Sequence, residues 1–165
     1  MTKLGELVKP ALVAGAGVGF VGSLVNNGMG FVVNFIPFLT CCLGLPLMAL
    51  CIVWPCLGGM GSVFMLKKKQ AVDIKDGALT GVLAGVFGGL ASAVVGLVFF
   101  ILQTVFNIGT TMAAMGPGTR GFAAAGIGGL AGIAGFLIGA VVGLFVWICI
   151  STVGAVIGTV LFGKK

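Results

Sequence analysis

The chain of 165 residues is 59% hydrophobic and 7% charged, with 9 Lys and Arg against 3 Asp and Glu and a formal net charge of +6. A soluble domain carries about 25% charged residues, so this composition excludes an ordinary water-soluble fold and makes the bilayer the expected solvent. The basic excess does not point to nucleic acid: the lysines cluster beside apolar runs as topology signals and anionic-lipid contacts, with no basic face of interleaved aromatics.

The first span is expected over residues 10–33. Lys3, Glu6 and Lys9 precede an apolar run that continues through glycines rather than ending at a small-residue cleavage site, so the segment reads as a retained helix. Pro10 suits a first helical turn, where a missing N–H leaves no bond unmade. Ala11, Gly15, Gly19 and Ser23 recur every four residues and so line one helix face. Asn26 and Asn27 interrupt the apolar run. They mark either the far interface or an interhelical hydrogen bond.

Gly28 to Leu45 holds Asn34 and Pro37 among glycines, with Pro46 just after it, and reads as a turn or a short interfacial helix. The second span is expected over residues 45–66, with a kink near Val53 to Pro55 because Pro55 lacks an N–H. Trp54, and Trp147 later in the chain, are interface anchors or lie inside the bundle; the sequence leaves both open. Lys67, Lys68 and Lys69 stop this span. In the linker, Asp73 or Asp76 is placed to cap the next helix, where a carboxylate meets unpaired N–H groups and the positive dipole end.

The third span, expected over residues 77–106, organises the chain. Gly77, Gly81, Gly85, Gly89 and Ala93 recur every four residues between bulky apolar side chains. They form a groove that admits a neighbouring backbone, the small-xxx-small mode of transmembrane packing. Gln103, Thr104 and Asn107 close the span, and Gly116, Pro117 and Gly118 carry turn chemistry before Arg120. The fourth apolar segment, 122–162, contains no charge and no proline. As one helix it is about 62 Å long, twice a bilayer core. Either it protrudes under a cover of protein, or its first part around Gly126 to Gly132 breaks into a re-entrant piece. Gly135, Gly139 and Gly143 form another ladder, Gly154 and Gly158 a further pair, and Lys164 and Lys165 end the chain.

Four spans put both chain ends and the central linker on one side, with Lys3, Lys9, Lys67, Lys68, Lys69, Lys75, Lys164 and Lys165; the other side holds only Arg120. The positive-inside rule makes the lysine side cytoplasmic and the protein a multi-pass component of the cell membrane. A weak repeat links Ala16-Gly17-Val18, Ala84-Gly85-Val86 and Ala131-Gly132-Ile133; as a duplication of helix pairs it would be parallel, with its axis along the membrane normal.

No chemistry-bearing constellation emerges. Histidine and tyrosine are absent, which removes the commonest metal ligand and general base. Cys41, Cys42, Cys51, Cys56 and Cys149 lack metal-ligand spacing and read as small apolar residues, with a disulfide open to Cys41 or Cys42 in an oxidising compartment. The expected spans contain no ionisable residue, which argues against a proton-coupled transporter, a rotary-ring subunit and a voltage sensor. A channel stays open, because carbonyl-lined pores need no charge. No nucleophile is paired with a base, so neither an enzyme nor a cofactor is expected.

Cys41-Cys42, the basic stop Lys67-Lys68-Lys69 and the run DGALTGVLAGVFGG from Asp76 to Gly89 together resemble a family of small uncharacterised prokaryotic membrane proteins, over about residues 10–105. That resemblance implies a four-span, glycine-rich layout and brings no activity and no functional residues. The layout is also similar to mitochondrial inner-membrane translocase subunits, from which the loops and cysteines depart. The expectation is an all-α polytopic transmembrane bundle of four spans with glycine-zipper packing. Its partners are the lipid bilayer and itself or other membrane subunits, in a structural or accessory role; the alternative is a small oligomeric channel or small-solute transporter.

Overall fold

In a computed structural model the chain forms four α-helices: α1 (Leu4–Phe35), α2 (Pro37–Lys67), α3 (Ile74–Met115) and α4 (Thr119–Phe162). The structure describes residues 4–35, 37–67, 72–115 and 119–162, with side chains described over 5–30, 32, 49–67, 72–110 and 130–162. Each helix contains a stretch long and apolar enough to cross a membrane: Gly5–Gly30, Ala49–Lys67, Ile74–Thr110 and Leu130–Phe162. The protein is an all-α integral membrane protein, with no strand among the described residues.

All four helices extend past the ends expected from sequence. Leu7 is 1% exposed and clusters with Val63, Leu66 and Val72, and this packing draws the first turns of α1 into helix. Pro10 therefore stands inside α1 rather than in its first turn. The turn expected over Gly28 to Leu45 is confined to the link between Phe35 and Pro37, and the rest of that stretch is helix: α1 runs to Phe35 and α2 starts at Pro37. In lipid a backbone group left by helix has no water to replace its partner, so glycine and asparagine break helices less than in water. Pro37 takes the first helical position, where its ring costs no bond. Asp73 settles the start of α3: its Oδ1 accepts from the Ile74 N–H at 2.8 Å and its carbonyl accepts from the Gly77 N–H at 2.9 Å.

The helix contacts give the arrangement. On α1 and α3, Gly15 lies against Ala84 and Gly19 against Gly88, backbone to backbone, and Ser23 Oγ donates to the Ser92 carbonyl at 3.2 Å. Both numbers rise together, so α1 and α3 run parallel. Cys56 meets Gly154 and Met60 meets Gly158, so α2 and α4 are parallel too. Within each hairpin the helices are antiparallel: Val18 and Ala14 face Gly58 and Gly61, while Gly77, Gly81, Gly85 and Gly89 face Thr159, Ala155, Ile148 and Leu144. The α1–α2 hairpin thus lies beside the α3–α4 hairpin in the same orientation, as a parallel repeat requires, and α2 and α3 also meet across the centre.

The stripe of α1 does meet α3, but not through the Gly77-to-Gly89 groove. That groove faces α4, and α1 sits on a second small-residue stripe of α3, Ala84, Gly88 and Ser92. The two stripes are offset by three residues, as from Gly81 to Ala84, and lie on neighbouring faces of one helix, which lets α3 take a close backbone neighbour on either side.

The fourth segment is a single helix, and the re-entrant alternative at Gly126 to Gly132 is not what forms. α3 touches it along one side only: Phe100 stacks on Phe136 with ring centroids 5.0 Å apart, and Gly132 faces the Phe100 ring, while Leu130, Leu137 and Ile138 stay exposed. Read through the Ser23–Ser92 register, α3 continues about 16 Å past the end of α1. Read through Cys56 and Gly154, the amino end of α4 reaches about 24 Å past the start of α2. The α3–α4 hairpin therefore projects beyond α1–α2 at the end away from the lysines. Side-chain hydroxyls within the helices bond back to the preceding turn, as Thr80 Oγ1 does to the Asp76 carbonyl at 2.6 Å and Ser62 Oγ to the Gly59 carbonyl at 2.7 Å, which satisfies them without water.

Candidate functional site

Ser23, Asn26 and Asn27 share one face of α1 by their three- and four-residue spacing. Facing them, the four helices leave a half-open cleft of about 60 Å³. α1 contributes Gly22, Ser23, Asn26 and Asn27; α2 contributes Cys51 and Trp54; α3 contributes Ser92; α4 contributes Trp147. Counted along the helices at 1.5 Å per residue, Trp54 lies about 20 Å from Lys67 and Ser92 about 27 Å from Ile74, which places the cleft toward the end away from the lysines, against a hydrocarbon core of about 30 Å.

The cleft is polar and uncharged. Asn27 Nδ2 donates to the Ser23 carbonyl and to Ser23 Oγ, both at 2.9 Å, and Ser23 Oγ donates onward to the Ser92 carbonyl. Asn26 Nδ2 donates to Cys51 Sγ at 3.4 Å and joins α1 to α2. Of the two readings left open by the sequence, Asn26 takes the interhelical one, while Asn27 bonds within its own helix and through Ser23 to α3. Asn27 Nδ2 uses both of its hydrogens in these bonds and Asn26 Nδ2 one, which leaves the two amide oxygens and one Asn26 N–H as the unused polar capacity of this face.

Both indoles of the chain are half-buried and line this cleft. Each rests on a glycine of another helix: Trp54 on Gly22, where a Cβ would stand 2.7 Å from Cγ, and Trp147 on Gly88, where a Cβ would stand 2.8 Å from Cζ3. Trp54 Nε1 is buried and has no partner among the described residues. A buried donor without an acceptor costs about 1–3 kcal/mol.

The packing glycines named from sequence fall into two groups. Gly15, Gly19, Gly77, Gly81, Gly85 and Gly89 each lie against another helix, with no room for a Cβ. Gly135, Gly139 and Gly143 meet nothing within 4 Å among the described residues, and Gly135 and Gly139 are exposed. Lys67 closes the last turn of α2; Lys68, Lys69, Lys164 and Lys165 lie outside the described residues, as do the side chains of Cys41 and Cys42. No group of three His, Cys, Asp or Glu is positioned to hold a metal ion among the described residues. Sequence reading did not single out Gly22, Gly88, Cys51 or Ser92 as parts of a site. The face shared by Ser23, Asn26 and Asn27 was the available signal.

No protein-family model, curated protein or solved structure matches this chain. The reading of the site therefore rests on its own geometry.

Proposed function

We propose that the protein is a non-enzymatic structural or accessory subunit of the cell membrane, its termini cytoplasmic, that associates with copies of itself or with other membrane subunits by glycine-zipper contacts. One observation carries this: among the described residues Gly135, Gly139 and Gly143 meet nothing, while the other ladders are consumed inside the bundle. They stand beside exposed Leu137, Ile138 and Val142. In lipid the hydrophobic effect does not drive helices together; close packing does, and a bare glycine stripe offers the closest approach. The test is particle mass after extraction into polymer discs. A multiple of 16.5 kDa, or stoichiometric foreign chains, is expected, with loss of association in Gly139→Leu and an unchanged bundle; a lone monomer overturns the proposal.

The alternative role, a small pore or small-solute transporter, is favoured by the polar cleft between the four helices. It requires solute flux in proteoliposomes that a variant of the cleft abolishes.

A further inference from the structure

Four observations converge on the cleft. It joins residues from all four helices, each of them long and apolar enough to cross a membrane. Its polar groups are amides, hydroxyls, a thiol and an indole N–H, with no charged side chain among its lining. Its free volume of about 60 Å³ exceeds several times the ~10–15 Å³ that one water needs. Its asparagine amide oxygens and the second amide hydrogen of Asn26 make no hydrogen bond among the described residues, so a guest can both donate to and accept from the lining.

We propose that this cleft is a hydrated binding site for small uncharged hydrogen-bonding solutes, of the class of water and simple amides or alcohols. The guest donates to an asparagine amide oxygen and accepts from the free Asn26 amide hydrogen, and the indoles of Trp54 and Trp147 supply its apolar walls. An ion is disfavoured there: no lining group carries a compensating charge, and stripping an ion of water inside a membrane is costly. The inference does not depend on whether the chain assembles, since every lining residue belongs to one copy.

The chain provides its own reporter. Its 2 Trp residues both line the cleft and it has 0 Tyr, so tryptophan emission reads the site directly. Trp54 is isolated by Trp147→Phe. The reference is an indole on the lipid-facing surface, introduced by Val153→Trp at a position 57% exposed, with both native tryptophans changed to Phe. In phosphatidylcholine vesicles, acrylamide, itself a small neutral amide, is expected to quench Trp54 several-fold more than the reference. Dibromo-phosphatidylcholine is expected to show the opposite order, and iodide to quench Trp54 far less than acrylamide does. Stronger quenching of Trp54 by brominated lipid than by acrylamide means that acyl chains fill the cleft, and overturns the proposal. Equal quenching by iodide and acrylamide overturns the exclusion of ions.

A second readout leaves both tryptophans in place. With Cys41, Cys42, Cys56 and Cys149 changed to Ala, the Cys51 thiol is expected to react with a small water-soluble methanethiosulfonate, because thiolate forms only where water reaches. Cys149, equally exposed but outside the cleft, is expected to stay unreacted when it is the cysteine retained. Equal reactivity of the two overturns the proposal, as does an unreactive Cys51.

Discussion

The indole of Trp54 lies directly on Gly22: a Cβ on that glycine would stand 2.7 Å from Cγ and 2.9 Å from Cδ2 of the ring. Gly22→Ala therefore forces the indole out of its seat and reshapes the cleft. Overpacking of this kind costs about 1–3 kcal/mol. In a Trp147→Phe background the expected result is a shift of the emission maximum together with lower resistance to denaturation in mild detergent. An unchanged spectrum would place the ring elsewhere.

Identical chemistry gives opposite results at two other glycines. A Cβ at Gly85 would stand 2.6 Å from the Ile148 Cα, which is backbone and can yield only if α4 moves. At Gly17 there is nothing within 4 Å. Gly85→Ala is expected to destabilise the bundle by about 1–3 kcal/mol. Gly17→Ala is expected to be neutral or to stabilise it by up to about 1 kcal/mol through helix propensity. Reversible unfolding in mixed micelles measures both, and equal values would remove the case for backbone contact between α3 and α4.

Two serines separate a paired hydroxyl from an unpaired one. Ser62 is 0% exposed and bonds the Gly59 carbonyl, whereas Ser151 is 1% exposed and its Oγ has no partner among the described residues. Ser62→Ala is expected to lose about 0.5–1.5 kcal/mol, and Ser151→Ala to change stability little or raise it, since it removes a buried polar atom that gains nothing. The same unfolding assay ranks them, and the reverse order would mean that the Ser151 hydroxyl has a partner.

The existence of four spans was legible because so few charges interrupt such long apolar runs. Their ends were not: glycine, Asn34 and Pro37 signal turns by rules learned in water, and in lipid the cost of an unpaired backbone group outweighs them. The small-residue period was legible too, but not which stripe meets which helix. Gly77 and Gly88 look alike in sequence, and only the placement of α1 and α4 assigns one to each side of α3. Asn26 and Asn27 were visible as misfits in an apolar run. Their partners were not, because Cys51 and Ser92 come from separate helices whose register depends on the whole packing.

The antiparallel hairpins bring the amino end of α1, the α2–α3 linker and the carboxyl end of α4 to one end of the bundle, and the short links after Phe35 and Met115 to the other. The lysines follow this division: Lys9, Lys67 and Lys75 stand at the first end, while Arg120 opens α4 at the second. Cytoplasmic loops hold the excess of basic residues, so a cysteine introduced by Gln70→Cys is expected to react with a membrane-impermeant maleimide only after cells are permeabilised. One introduced by Arg120→Cys is expected to react in intact cells. Changing Lys67, Lys68 and Lys69 to Gln leaves Lys3, Lys9, Lys75, Lys164 and Lys165 on the same side, so the orientation is expected to hold. Labelling of both positions from one side would break the antiparallel pairing of α3 with α4. An exchange of the two sides would keep the bundle and overturn the reading of its orientation.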